Sequence, residues 1–502
     1  MGARAAIVYL GCLVGCTLSA PAQTSVGNIV RCGQQSDADV FSIIAKCNEG
    51  AKKPMTAGDI AVKTTRSALG CKDSSCFWPK TSQGNVNVPY TLSTAFNSDE
   101  QAVIASAIQE FTTLTCIRFV ARTVEIDYIQ IKSVDGCWSY LGKVGGPQDL
   151  SLLKGGCVTK GIAQHELNHA LGFVHEQTRS DRDQFVDIIW KYIPQAVVVN
   201  FEKAEPETNN LGIMYDYGSV MHYGSFAFTN TSGQATIVPR PDSSKPIGQR
   251  YGLSNLDISK INKLYQCGLC SSLLTDRTGS LSSNNIVSSY PNTTNCVYQI
   301  RIPSDKVYLT FDVFDLQDST GCLSGYIKVY DGAHKMAPVL LDKTCGKQRL
   351  PLLVASDNLM LVEYSSTVAV SSNIFKASYS AVQCGRTLTD SSGTLSSPNY
   401  PSTYGPNTNC SWVIVAPKGF KISVSILDFS LEASTNCVFD YLLIMDDTAP
   451  TTLVGKYCGK PKFPNITSYG NTIRFKFISD MSVQSKGFQL KYITGVEFNE
   501  GY

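Results

Sequence analysis

Apolar positions follow two regimes along the chain. In the first, strand-like and helix-like spacings alternate. The stretch "GNVNVPYTLS" (84–93) predicts a strand, and "DEQAVIASAIQEFTTLT" (99–115) predicts a helix. Strict period-two alternation in "VEIDYIQIKSV" (124–134) predicts a second strand. The segment "KGIAQHELNHALGF" (160–173) returns to helical spacing, and Gly172 is placed to stop that helix. Beyond Cys267 the second regime begins: Ser, Thr, Asn, Pro and aromatics in short alternating runs. Short strands with regular turn signals of this kind predict β-sandwiches.

The second regime is also repeated. "CSSLLTDRTGSLSSNNIVSSYPNTTNCVYQI" starts at Cys270, and "CGRTLTDSSGTLSSPNYPSTYGPNTNCSWVI" starts at Cys384. The spacing from Cys270 to Cys296 equals that from Cys384 to Cys410, and each copy carries a second pair, Cys322 with Cys345 and Cys437 with Cys458. Two copies are too few for a solenoid, so each is read as a globular module. A chain of 502 residues exceeds the ~250–300 residues at which one core stops growing, which agrees with several domains.

The N-terminus, "MGARAAIVYLGCLVGCTLSAPAQ", sets a basic Arg4 before an apolar run and then small residues at Ala20 and Ala22. This predicts a secretory signal over 1–22. No later run is long and apolar enough to suggest a membrane span. Residues 23–66 are polar and mixed, contain Cys32 and Cys47, and end at Arg66 before the small Ser67, an expected processing point. The remaining boundaries are a domain over 67–267, the two modules at 270–382 and 384–494, and a tail at 495–502.

Composition narrows the class. The apolar fraction of 43% and charged fraction of 17% fit folded domains. A net charge of +2 without a long basic run leaves no electrostatic footprint for nucleic acid. Eighteen cysteines predict a disulfide framework in an oxidising compartment. The sequons at Asn230, Asn292, Asn409 and Asn465 suit the same secretory route.

Histidine is the scarce residue. The chain has five, and "HELNHALGFVHEQ" (165–177) holds three of them. On a helix His165 and His169 face the same side, so both imidazoles can address one ion. Glu166 projects to a neighbouring direction and can reach a metal-bound water without ligating. Gly172 permits a sharp turn that returns His175 as a third ligand. Three nitrogen ligands with an open position describe a catalytic zinc site, with Glu166 as general base and acid. Followed by a Met-turn, this extended string is the metzincin signature, and "YDYGSVMHYGSFAF" supplies Met221 as an apolar floor.

Within that group, "HELNHALGFVHEQTRSDRD", "SVMHY" and "IGQRYGLSNLDISKINKLYQC" resemble the astacin metallopeptidases over the whole 67–267 domain. The resemblance implies that His165, His169 and His175 bind one zinc and that Glu166 is the acid/base. It implies that Tyr223 is a further zinc ligand in the resting enzyme, released to hydrogen-bond the oxyanion. It implies that Glu176 pairs with a new N-terminal amine after cleavage at Arg66. "MTAGDIAV" resembles the family's latency motif, in which Asp59 would ligate zinc, although Met55 stands where an aromatic is usual. Family pairing implies disulfides Cys116–Cys267 and Cys137–Cys157. The extra pair Cys71 and Cys76 before "FWPK" resembles the hatching-enzyme branch.

The modules resemble CUB domains, with "YPN" near the front and "GYIKVYDG" or "DYLLIMDD" in the middle. The implied fold is an α+β metzincin catalytic domain followed by two all-β CUB sandwich domains. Many CUB domains bind calcium through a glutamate and two aspartates. The second copy offers Glu432, Asp440 and Asp480, a set of oxygen ligands suited to a hard cation. In the first copy Gln317, Gly325 and "YSST" stand at those places, and no calcium is expected there.

The expected function is that of a secreted, extracellular zinc endopeptidase made as a zymogen, with CUB modules making protein contacts. Tolloid-like enzymes carry more CUB modules with EGF-like inserts, and meprin-like enzymes a membrane span. The architecture here looks most like an amphibian-type hatching enzyme, which implies egg-envelope glycoproteins as substrate. A matrix or developmental-signalling protease would share every catalytic residue. A CUB-mediated binding protein with an inactive peptidase would need a substitution that the chain lacks.

Overall fold

The computed structural model describes residues 39–62, 74–204, 210–249, 251–283, 294–367, 374–447 and 451–497. The expected leader, the Arg66–Ser67 processing point, Cys71, the Asn292 sequon and residues 498–502 lie outside the described residues.

Helix α1 (Val40–Asn48) begins at Asp39, whose carboxylate accepts the Ser42 backbone N–H at 2.9 Å. Its buried positions Val40, Phe41, Ile44 and Cys47 recur at helical spacing. Strands β1 (Met55–Thr56), β2 (Ile60–Ala61), β3 (Val86–Leu92), β4 (Ile117–Ala121), β5 (Tyr128–Lys132), β6 (Cys137–Tyr140) and β7 (Pro147–Leu152) form one seven-stranded sheet, ordered β1-β2-β6-β7-β5-β3-β4. The N-terminal segment therefore supplies one edge of the sheet, with β2 running parallel to β6.

Helix α2 (Ser98–Leu114) starts with a capping box between Asn97 and Glu100 and packs on α3 (Lys160–Ala170), which Thr159 caps. A short ribbon pairs β8 (Val186–Ile188) with β9 (Ile237–Pro239), and α4 (Asn255–Leu264) opens on a second capping box, Ser254 with Asp257.

The expected strand at 124–134 is shorter than its pattern. It begins at Tyr128, and Val124 and Ile126 are 85% and 80% exposed. Local bonding wins there: the Glu125 carboxylate accepts the Thr123 backbone N–H at 2.7 Å, and Arg122 Nε donates to the Glu125 carbonyl at 2.9 Å, closing a turn.

Each C-terminal module packs a five-stranded sheet on a four-stranded one, with the same strand order in both copies. In the first, β10 (Cys270–Leu274) runs parallel to Thr294–Arg301, so that Cys270 and Cys296 are register partners, and the strand between them, β11 (Thr278–Ser282), joins the other sheet. We label Thr294–Arg301 β12. Cys384 and Cys410 repeat this register in the second copy. Disulfides join Cys116–Cys267, Cys137–Cys157, Cys270–Cys296, Cys322–Cys345, Cys384–Cys410 and Cys437–Cys458, so both pairings implied by the astacin resemblance are present. Cys47 and Cys76 are disulfide-bonded as well.

The domains share apolar contacts. Leu273, Val297, Tyr330 and Leu361 of the first sandwich belong to the same buried cluster as the first domain's core. Leu352, Val354, Val382 and Val413 form a smaller cluster between the sandwiches. Among the described residues no helix is long and apolar enough to cross a membrane.

Candidate metal centre

The two histidines of α3 lie one turn apart, with their Nε2 atoms 3.2 Å from each other. Gly172 takes φ +99°, a conformation that suits glycine, and an added Cβ would meet the Phe77 ring at 2.9 Å. The chain turns there and brings His175 back, its Nε2 3.2 Å from that of His165. The other ring nitrogens fix the tautomers: His165 Nδ1 donates to the Val220 carbonyl at 2.8 Å and His169 Nδ1 to the Phe173 carbonyl at 2.7 Å. Their Nε2 lone pairs therefore face one another.

Asp59 enters this cluster from the N-terminal segment. Its carboxylate is fully buried, with Oδ2 2.9 Å from His165 Nε2 and Oδ1 3.4 and 3.3 Å from His169 and His175 Nε2. Burial would raise the Asp59 carboxyl, but the facing histidines hold it well below the usual carboxylate range. Burial pushes His175 down to about 4.

Three imidazole lone pairs and a carboxylate, all buried with one ligand atom each within 4.8 Å of the others, repel unless a cation lies among them. Three nitrogens and one oxygen, with carbonyls holding the His165 and His169 rings from behind, fit zinc.

Glu166 lies beside this group, wholly buried, and neither carboxylate oxygen has a hydrogen-bond partner in the protein. Burial, and then the Asp59 charge, push its pKa well above the ordinary value. The Tyr223 ring lies tilted beside His175, ring centroids 4.6 Å apart and planes at 57°, and its hydroxyl donates to the Ala57 carbonyl at 2.5 Å. The ligand group thus comprises Asp59 and the three histidines, with Tyr223 turned to the N-terminal segment.

Met221 is buried under the site, and α4 fastens its turn. Asp257 accepts Ser219 Oγ at 2.6 Å and the Val220 backbone N–H at 2.9 Å. In the uncut chain Glu176, expected to meet the new N-terminal amine only after cleavage, accepts from Lys260 Nζ at 2.5 Å and the Asp216 backbone N–H at 2.8 Å. His222, the remaining histidine near the motif, stays outside the cluster, bonded to the Tyr215 hydroxyl at 2.7 Å.

Sequence reasoning missed two contributors. Phe41 stacks on Tyr223, and the Asn48 side chain bridges the Gly58 carbonyl and both backbone groups of Cys137. The helical spacing of Val40, Phe41, Ile44 and Cys47 was the signal available for α1.

In the second sandwich Glu432, Asp440 and Asp480 also converge, each with one ligand atom within 4.8 Å of the others. Asp440 accepts the Tyr404 hydroxyl at 2.5 Å and the Asp480 backbone N–H at 2.8 Å. Glu432 Oε2 is buried without a partner, and desolvation with the Asp440 and Asp480 charges raises its pKa.

Comparison with known proteins agrees with this geometry. The astacin peptidase family model matches residues 73–266, and the CUB domain model matches 270–379 and 384–492. The embryonic protein UVS.2 of Xenopus laevis is 49% identical over 91% of this chain and 88% of its own. The astacin-like metalloendopeptidase of Gallus gallus is 49% identical over 70% of this chain and 85% of its own. Tolloid-like protein 2 of Mus musculus is 38% identical over 84% of this chain but only 42% of its own. Among solved structures, high choriolytic enzyme 1, a hatching enzyme zinc-protease of Oryzias latipes, is 52% identical over 40% of this chain and 100% of its own, with a TM-score of 0.38. The chain belongs to the astacin family: it is a zinc metalloendopeptidase whose astacin domain is followed by two CUB domains.

Proposed function

We propose that the chain is a secreted zymogen that, once cut after Arg66, digests egg-envelope glycoproteins at hatching. The observation that carries latency is Asp59 among the three histidines, with the neighbouring Ala57 carbonyl held by Tyr223. The pro-segment, residues 23–66, fills the centre with one carboxylate and one carbonyl. Bound zinc supplies Lewis acidity, polarising a scissile carbonyl and lowering the pKa of water. Glu166, with both oxygens unpartnered, takes a proton from water and delivers it to the leaving amine. What Tyr223 does to the Ala57 carbonyl it does to a substrate oxyanion once the pro-segment has left.

The embryonic protein among the relatives supports the hatching role, and exposed sequons at Asn230, Asn409 and Asn465 suit export. Glu432, Asp440 and Asp480 would hold calcium in the second CUB domain and order its protein-binding loops. The likeness to a tolloid-like protein favours a second reading, a matrix or developmental-signalling protease. N-terminal sequencing of fragments from purified envelope proteins, treated with uncut and cut chain, tests both. The proposal expects discrete cleavage by the cut chain alone; intact envelope proteins alongside cleaved matrix proteins would favour the second reading.

A further inference from the structure

Glu110 on α2 has a carboxylate whose side chain is 1% exposed. Much of what satisfies it comes from the first CUB domain. Arg301 Nη1 donates to both Glu110 oxygens, at 2.8 and 3.0 Å, and Gln299 Nε2 donates at 2.8 Å. Arg301 Nη2 reaches past it to the Leu253 carbonyl at 2.7 Å. From the astacin domain, Gln164 Nε2 donates to Glu110 at 2.7 Å, and Gln164 Oε1 accepts the Leu253 N–H at 2.9 Å.

Both groups that Arg301 braces lead back to His165. Gln164 precedes it on α3. Leu253 precedes Ser254, the cap of α4, whose Asp257 fixes the Val220 backbone, and the Val220 carbonyl orients His165 Nδ1. The constraints form a closed ring with Arg301 at its far side. The ring is tight: at Gly252, φ +120°, an added Cβ would meet Gln164 Oε1 at 2.3 Å and Arg301 Nη1 at 3.2 Å.

We propose that Arg301 of the first CUB domain is a positioning residue of the zinc centre, acting through Glu110, Gln164 and the Leu253 carbonyl. Without it the buried carboxylate keeps only Lys160 Nζ, 3.1 Å from one oxygen, as a cation, and the Leu253 carbonyl loses a donor, so both supports of His165 relax. Burial alone would raise the Glu110 carboxyl; Arg301 and then Lys160 hold it lowered, as a permanently charged partner requires. Partners behind a metal ligand are worth about 10–100-fold in metal affinity or activity.

The inference rests on the metal-centre reading, and the test separates the two. Arg301→Met, Arg301→Lys and Val297→Ala are made in the full chain, processed, and measured with a short fluorogenic peptide; zinc loss to a chelator is followed separately. Val297 lies in the same interdomain cluster without a role in the ring. Arg301→Met should lower kcat about tenfold with KM changed less than about twofold, and speed zinc loss about tenfold. Arg301→Lys, which returns a cation beside the Glu110 carboxylate, should recover part of both losses, and Val297→Ala should leave both near wild type. An Arg301→Met chain equal to wild type overturns the inference. So do equal losses from Val297→Ala, which would assign the effect to docking alone, and an Arg301→Lys chain no better than Arg301→Met. A wild-type chain holding no zinc would instead overturn the metal-centre reading.

Discussion

Phe41 lies flat against Tyr223, ring centroids 3.6 Å apart and planes 20° from parallel. Its edge also meets the His175 ring, with centroids 5.3 Å apart. Gly58 makes the approach possible, since a Cβ there would meet Phe41 Cζ at 2.7 Å. Asp59 is therefore not the sole anchor of the N-terminal segment. Phe41→Ala removes a buried ring, a change worth roughly 3–5 kcal/mol in a packed core. The uncut variant should leak peptidase activity, less than uncut Asp59→Ala. Hydrolysis rates of the uncut chains check this; a silent Phe41→Ala chain would return latency to Asp59 alone.

Glu166→Gln keeps the shape of the site and the three histidine ligands. It removes the base whose oxygens have no other partner. Zinc content should stay at one per chain while kcat falls by several orders of magnitude. Metal analysis paired with single-substrate kinetics separates loss of the base from loss of the metal.

Calcium should bind once per chain. Asp440 is already aligned by Tyr404 and the Asp480 backbone, and Glu432 keeps an oxygen unpartnered. Affinity should fall in the range of extracellular modules, roughly 10⁻⁴–10⁻³ M. Calorimetric titration of the full chain should give a stoichiometry of one, abolished by Asp440→Ala. Two sites, or none, would show that the contrast with Gln317 and Gly325 in the first sandwich has been misread.

Asp216 provides a pH signature away from the metal. Burial, and then the Asp257 carboxylate, raise it from its ordinary 3.8 to about 7. A raised carboxyl stabilises the fold fully below its unfolded value, and that stability is lost as pH rises through the folded value. Wild-type Tm should therefore decline from about pH 4 to about pH 7 through this group. Asp216→Asn should flatten that decline, as read from thermal melts across the range. An unchanged slope would mean that the Asp216 carboxyl is solvated.

Much of the catalytic helix was legible because its chemistry and its spacing coincide: a capped run holds His165 and His169, and Gly172 ends it with φ +99°. Short alternating runs made the sandwiches readable and the repeat made them alike, with equal cysteine spacing because Cys270 and Cys296 are register partners in one sheet. The strand at Val124 was over-read because alternation does not report a turn closed by Glu125. Glu176 was legible as important, but its partner Lys260 lies on α4, and no local pattern announces a pair 84 residues apart. Arg301 and Glu110 were illegible for the same reason: each looks like surface charge until two domains meet.

The Cys116–Cys267 bond has a mechanical side. Cys267 is the last cysteine before the first sandwich begins at Cys270, and its partner stands where α2 hands over to β4. Ser271 adds a hydroxyl bond to the Leu114 carbonyl at 2.6 Å, beside the same junction. Tension entering from sandwiches held on a resisting surface would pass across the sulfur bridge into the sheet. Helix α4 is tied to the same sandwich, with Asn262 Nδ2 donating to Ser271 Oγ at 3.0 Å and Asn255 Oδ1 accepting the Leu273 N–H at 2.9 Å, so the bridge would take up part of a tug that α4 would otherwise carry alone to the turn beneath the histidines.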